Sequence, residues 1–129
     1  MEFLRSRYDS FRHALRGWRY VLTTQKNAWI HSVMATAVFI VGLWLQLPVR
    51  DWAVIILTVA MVFSAEFLNT AIEAVVDLAS PDIHPLAKIG KDVGAAAVLV
   101  AACAAVLVGL LILGPPLWLK LVFLLARYF

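Results

Sequence analysis

Three long apolar stretches constrain this chain more than any other feature. They cover residues 28–47 (AWIHSVMATAVFIVGLWLQL), 52–79 (WAVIILTVAMVFSAEFLNTAIEAVVDLA) and 93–114 (VGAAAVLVAACAAVLVGLLILG). A helix rises about 1.5 Å per residue, so roughly 20 apolar residues cross the ~30 Å hydrocarbon core of a bilayer. The composition agrees. The 129 residues are 64% hydrophobic and 15% charged, with a mean hydropathy of +0.90. Soluble domains sit near 45–50% apolar and about 25% charged, and small domains bury the smallest fraction of their surface. A soluble globular domain is therefore excluded. Disorder is excluded too, because it needs low hydrophobicity. The reading is an all-α membrane protein with a single membrane domain over residues 1–129.

Pro48, Pro81, Pro85 and the pair Pro115 and Pro116 punctuate the spans. Proline breaks helices, so these positions predict helix ends. The third span is rich in alanine and glycine, which permits close helix contact in lipid. Residues 117–129 are too few to span and read as an interfacial tail. At the other terminus, residues 3–24 interleave Leu4, Tyr8, Phe11, Leu15 and Trp18 with Arg5, Arg7, Arg12, Arg16 and Arg19. Aromatics and arginines at helical spacing suit an amphipathic helix lying on the membrane surface. Such a helix serves as a basic anchor or also as the roof of an active site. Residues 1–27 are too polar for a cleavable signal peptide.

Lysines and arginines set the expected orientation. Five arginines and Lys26 precede the first span, only Arg50 lies between the first and second, and Lys88 and Lys91 lie between the second and third. The positive-inside rule then puts the N-terminus and the 81–92 loop in the cytoplasm. No nucleic-acid motif accompanies the net charge of +3. The single cysteine, Cys103, sits in an apolar run and reads as a small packing residue.

The second span carries an anomaly. Glu66, Asn69, Thr70, Glu73 and Asp77 interrupt its second half. At about 100° per residue they fall within one arc of roughly 100°, a polar stripe on an apolar helix. An ionised carboxylate in hydrocarbon costs at least about 2.5–3.5 kcal/mol. Three on one face require a metal ion, a basic partner or protonation. Lys91 and Asp92 open the third span on the same membrane side. Carboxylates that hold a hard cation, beside a lysine that neutralises phosphate, suit a magnesium nucleotide.

Plainer readings exist for each residue. Glu73 or Asp77 can pair with Lys88 or Lys91 as a structural ion pair. Asn69 can hydrogen-bond between helices. His31 reads as a polar interface residue, and His84, between prolines and near Asp82, is open. The pattern also admits a small ion-coupled transporter, or a non-catalytic scaffold in which the stripe serves assembly. Against transport, the acids cluster at one rim and form no chain across the bilayer.

The run EFLNTAIEAVVD from Glu66 to Asp77, HPLAK from His84 to Lys88, and KDVGAAAV from Lys91 to Val98 resembles the prokaryotic diacylglycerol kinase family. That family of small membrane lipid kinases includes the undecaprenol kinases. SFRHALRG from Ser10 to Gly17 and the Asn27–His31 region are similar to its Gram-positive branch. The resemblance covers about residues 5–114 and omits the tail.

It implies a homotrimer in the bacterial inner membrane, with active sites between neighbouring subunits at the cytoplasmic face. It implies transfer of the γ-phosphate of ATP to a lipid alcohol, undecaprenol favoured over diacylglycerol. Carried over by position, Glu66 is the general base and Asn69 positions groups beside it. Glu73 binds Mg2+. Lys91 and Asp92 hold the nucleotide, Asp77 supports it, and Gly17 lets it approach the surface helix closely. One departure stands out: where the family often carries a second metal-binding glutamate, this chain has Gln25. An amide oxygen can coordinate magnesium but adds no charge.

Overall fold

In the computed structural model, which describes residues 2–80, 82 and 84–126, the described chain is almost entirely helical. Four helices follow one another: α1 (Glu2–Thr24), α2 (Lys26–Leu45), α3 (Val49–Ala79) and α4 (Pro85–Ala126). The last three are long and apolar enough to cross a membrane. Pro81 and residues 127–129 of the expected tail lie outside the described residues.

Helix α1 is amphipathic, as its alternation of aromatics and arginines dictates. Gln25, with φ −97° and ψ 115°, breaks it from α2. Helix α2 ends in a tight reversal. Gln46 takes the left-handed conformation, φ 58° and ψ 48°. Its N–H bonds the Leu43 carbonyl at 3.1 Å, and the Leu47 N–H bonds the Gly42 carbonyl at 3.2 Å. This pattern satisfies carbonyls that a helix end otherwise orphans. Gly42 is required there: a Cβ would come within 2.9 Å of the Trp52 ring, which itself stacks on Phe39 at 5.3 Å. Pro48 then precedes α3 in an extended conformation, as proline at a helix start should.

The apolar core of the single chain is small. Its buried residues are Val21, Ala28, Leu47, Ile55, Val62, Val98 and Ala101. Most other large apolar side chains face outward, which suits lipid or neighbouring subunits as solvent. The closest packing is between α3 and α4. Helix α1 is held to α3 by aromatic contact: the Trp18 ring stacks on Phe63 at 5.7 Å and meets Phe67 edge-on at 4.9 Å.

Two expectations need correction. Pro115 and Pro116 do not end α4; the helix continues through them to Ala126. Proline's fixed φ is already helical, and its cost is a missing N–H and a clash with the preceding turn. The continued helix makes a contact of its own to α2. The Lys120 ammonium donates to the Trp44 carbonyl at 2.5 Å and sits 4.4 Å from the centre of the Trp44 ring. Trp44 lies in the last turn of α2, where carbonyls lack helical partners and a cation is favoured. At 42 residues, α4 is about 63 Å long, twice the hydrocarbon thickness, so it extends beyond any single crossing. Cys103 is exposed on α4 and does not pack inside the chain.

Candidate active site

The polar stripe of α3 lies against the start of α4 and under α1. Its spacing puts Glu66, Asn69 and Thr70 on the side turned toward the other helices, and all three are buried. Glu66 is the most enclosed, at 1% exposure. Thr70 satisfies its own hydroxyl by donating to the Glu66 backbone carbonyl at 2.9 Å. One turn further along, Glu73 is half-buried, and Asp77 is exposed. The stripe therefore runs from a dry interior to a wet rim within three turns.

The bonds inside it are few. Asn69 Nδ2 donates to Glu73 Oε1 at 3.0 Å, an i to i+4 contact that fixes both side chains. Glu66 Oε2 and Asn69 Oδ1 are enclosed with no partner in this chain, and so is His31 Nε2 on α2. Buried polar atoms are paired in more than about nine cases in ten, and exceptions call for an explanation such as a catalytic role or a ligand.

Helix α4 supplies the basic side. Lys91 Nζ contacts Asp77 Oδ1 at 2.5 Å. This is one of the structural ion pairs the sequence allowed, and it places Lys91 at the rim of the stripe. Both side chains stay substantially exposed, so the pair is weak and exchangeable. Asp92 is exposed on the next position of α4. Gly94 is buried against the stripe. A Cβ there would collide with Asn69 Oδ1, so only glycine leaves that amide where it is. Sequence reasoning missed Gly94 as a site residue. The signal was its place three residues after Lys91, one helical turn along the face that meets α3.

Gln25 sits at the N-cap of α2 and makes no capping bond with its side chain. It lies 23 residues before Pro48, and Glu73 lies 25 after it. Antiparallel helices that leave one turn therefore bring the two to similar depth, within about 3 Å. Among the described residues no three His, Cys, Asp or Glu side chains converge as a metal cage. A magnesium ion held by one or two protein oxygens plus substrate phosphates needs no such cage. A side chain at Gly17 would meet open space, so nothing in this chain crowds the backbone there. His84 caps the start of α4, its Nδ1 accepting from the Leu86 N–H at 3.2 Å.

The arrangement gathers Glu66, Asn69, Glu73, Asp77 and Lys91 into one patch. An enclosed carboxylate at its inner end can accept a proton. Half-buried oxygens in its middle can hold a cation, and the part-exposed ammonium of Lys91 at its rim can meet an anion.

Comparison with known proteins adds to this geometry. Residues 12–113 match the family model described as prokaryotic diacylglycerol kinase. The undecaprenol kinase of Bacillus subtilis (strain 168) is 44% identical over 110 residues, 85% of this chain and 89% of that protein. A diacylglycerol kinase of Synechocystis is 48% identical over 109 residues, 84% of this chain and 62% of that protein. The diacylglycerol kinase of Escherichia coli (strain K12) is 35% identical over 89 residues, 64% of this chain and 73% of that protein. The family match stops just before Pro115, so the helical continuation that bears Lys120 lies beyond it.

Proposed function

The chain belongs to the prokaryotic diacylglycerol kinase family and is a membrane lipid kinase, and from that premise we propose that it transfers the γ-phosphate of ATP to undecaprenol. The observation that carries the site assignment is the enclosed, unpartnered carboxylate of Glu66 at the inner end of a stripe whose outer end bears Lys91. The substrate preference rests on the match to the Bacillus undecaprenol kinase, which covers 89% of that protein. Diacylglycerol is the alternative acceptor.

The chemistry follows from where each group stops. A lipid hydroxyl approaches sideways from the bilayer, while ATP arrives from water. They meet where the polar stripe begins. Glu66 takes the proton of the hydroxyl as its oxygen attacks the γ-phosphorus; the bond to the β-phosphate oxygen breaks and ADP leaves. Asn69 holds Glu73 through its amide and so fixes the cation-binding oxygens. Glu73 and the Gln25 amide would hold Mg2+ together with the phosphates. When bound, that ion neutralises charge on the transferring group. Lys91 exchanges Asp77 for the phosphates, and Asp92 and Gly17 border the nucleotide. Asp77 gives Lys91 a resting partner.

We further propose that the working unit is a homotrimer in the bacterial inner membrane, its N-terminus and sites facing the cytoplasm. In support, the outward faces of α3 and α4 form an apolar groove lined by small side chains such as Ala65, Ala97, Ala101 and Ala104. Small residues let helices of neighbouring subunits approach closely. The distribution of arginines in α1 supports the orientation.

Vesicles containing equal amounts of undecaprenol and diacylglycerol, supplied with ATP and magnesium, test the substrate. Undecaprenyl phosphate as the dominant product is expected. Phosphatidic acid as the dominant product reassigns the acceptor.

A further inference from the structure

We infer that His31 is a positioning residue for the reaction, holding the Glu66 carboxylate by a hydrogen bond from its imidazole, directly or through one enclosed water. The inference rests on the reading of Glu66 as the general base. Two observations converge on it.

First, His31 Nε2 and Glu66 Oε2 are both enclosed and both lack a partner in this chain. One is an imidazole nitrogen that can donate; the other is a carboxylate oxygen that can only accept when ionised. Leaving both unpaired costs the desolvation of each. Second, they share one depth. His31 lies 17 residues before Pro48 along α2, and Glu66 lies 18 residues after it along α3. About 1.5 Å separates those levels.

The neighbourhood explains why the pair is enclosed. Ala28, one turn before His31, is fully buried and lets α2 approach closely. Ser32 spends its hydroxyl on the Ala28 carbonyl at 2.7 Å, so it does not compete for Glu66. On the far side, Trp18 covers Phe63 and Phe67, the residues that flank Glu66 on α3. Thr70 is committed to backbone, and Asn69 Nδ2 to Glu73. Among these described side chains, His31 is the one whose ring nitrogen is uncommitted.

A carboxylate that acts as base needs one oxygen aimed at the hydroxyl. A donor fixed on the other oxygen removes the torsional freedom that would swing it away. Catalytic hydrogen bonds are often open without substrate and tighten when it binds. Substrate closing the site from the bilayer side would bring Nε2 and Oε2 together.

The test uses two variants of nearly identical shape, His31→Gln and His31→Met, of which only the first keeps a donor. Both are purified in lipid and compared with the unmodified protein and with Glu66→Gln. Thermal melting reports folding; kcat and the KM for ATP report function. His31→Gln is expected to retain at least several-fold more kcat than His31→Met. The Met variant should lose on the order of 10- to 100-fold, the scale of a hydrogen bond to a charged group, with the KM for ATP unchanged. Equal kcat for the folded Gln and Met variants, at whatever level, overturns the proposal. Glu66→Gln separates the two readings. If it keeps full turnover, the base assignment itself fails, and His31 loses its role with it. If it abolishes turnover while the Gln and Met variants match each other, only the role of His31 is lost.

Discussion

The two ends of the helical bundle treat polar groups in opposite ways. At the α2–α3 turn, the backbone groups of Gln46 and Leu47 reach the carbonyls that α2 leaves open, and Lys120 reaches another at Trp44. At the Glu66 end, His31 Nε2, Glu66 Oε2 and Asn69 Oδ1 are enclosed with nothing to bond. Both ends face the same physics, since an unpaired polar group in a dry interior is costly. One end settles that cost locally. The other carries it, at the residues of the polar stripe and the helix facing it. A fold keeps such groups unpaired where a ligand completes them, so orphaned polar atoms locate the chemistry better than polarity alone.

That contrast can be broken at either end. Of three substitutions, Gly94→Ala, Gln25→Glu and Lys120→Met, the first is expected to have the largest effect. The added Cβ collides with Asn69 Oδ1, forcing the amide to rotate and release Glu73. Turnover should fall about tenfold, in line with the loss of a hydrogen bond to a charged group, while the melting temperature changes little. Unchanged turnover would show that the Asn69–Glu73 contact at 3.0 Å has no part in the reaction. A smaller effect, in the opposite direction, is expected from Gln25→Glu. A second carboxylate near Glu73 should lower the magnesium concentration needed for half-maximal rate several-fold, because a charged oxygen binds a hard cation better than an amide. A magnesium titration with an unaltered midpoint removes Gln25 from the metal site. The smallest effect on activity belongs to the turn end. Lys120→Met deletes the contact to the Trp44 carbonyl and ring. It should cost about 1 kcal/mol of stability and leave kcat unchanged. A loss of turnover matching Gly94→Ala would erase the distinction between the two ends.

Much of this contrast was legible in the sequence, for reasons that differ by element. The three spans and the amphipathic α1 follow from hydropathy and helical spacing alone, which depend on each segment by itself. The stripe from Glu66 to Asp77 was legible in the same way, because its members share one helix. The pairing of Lys91 with Asp77 was visible only as one of several ion pairs. His31 read as an interface residue because its significance depends on a partner on another helix. Counting back from Pro48 to equal depth is the signal that links them. Pro115 and Pro116 spell a stop in sequence, yet α4 continues through them. Local propensity argues for that stop, but the apolar run goes on past the prolines, and Lys120 on the far side reaches Trp44, 76 residues away in sequence. In sequence Gly94 is one more small residue of an alanine-rich span; its role depends on the Asn69 amide of another helix.

The central claim is that Glu66, enclosed at the inner end of the stripe, takes the proton from the lipid hydroxyl. The most direct measurement is the rate of phosphate transfer from ATP to undecaprenol by Glu66→Gln in vesicles, with nucleotide affinity measured in parallel. An amide of the same shape should lower kcat by about 10²- to 10⁴-fold while ATP binding stays close to that of the unmodified protein. Near-full turnover with normal ATP affinity would contradict the account.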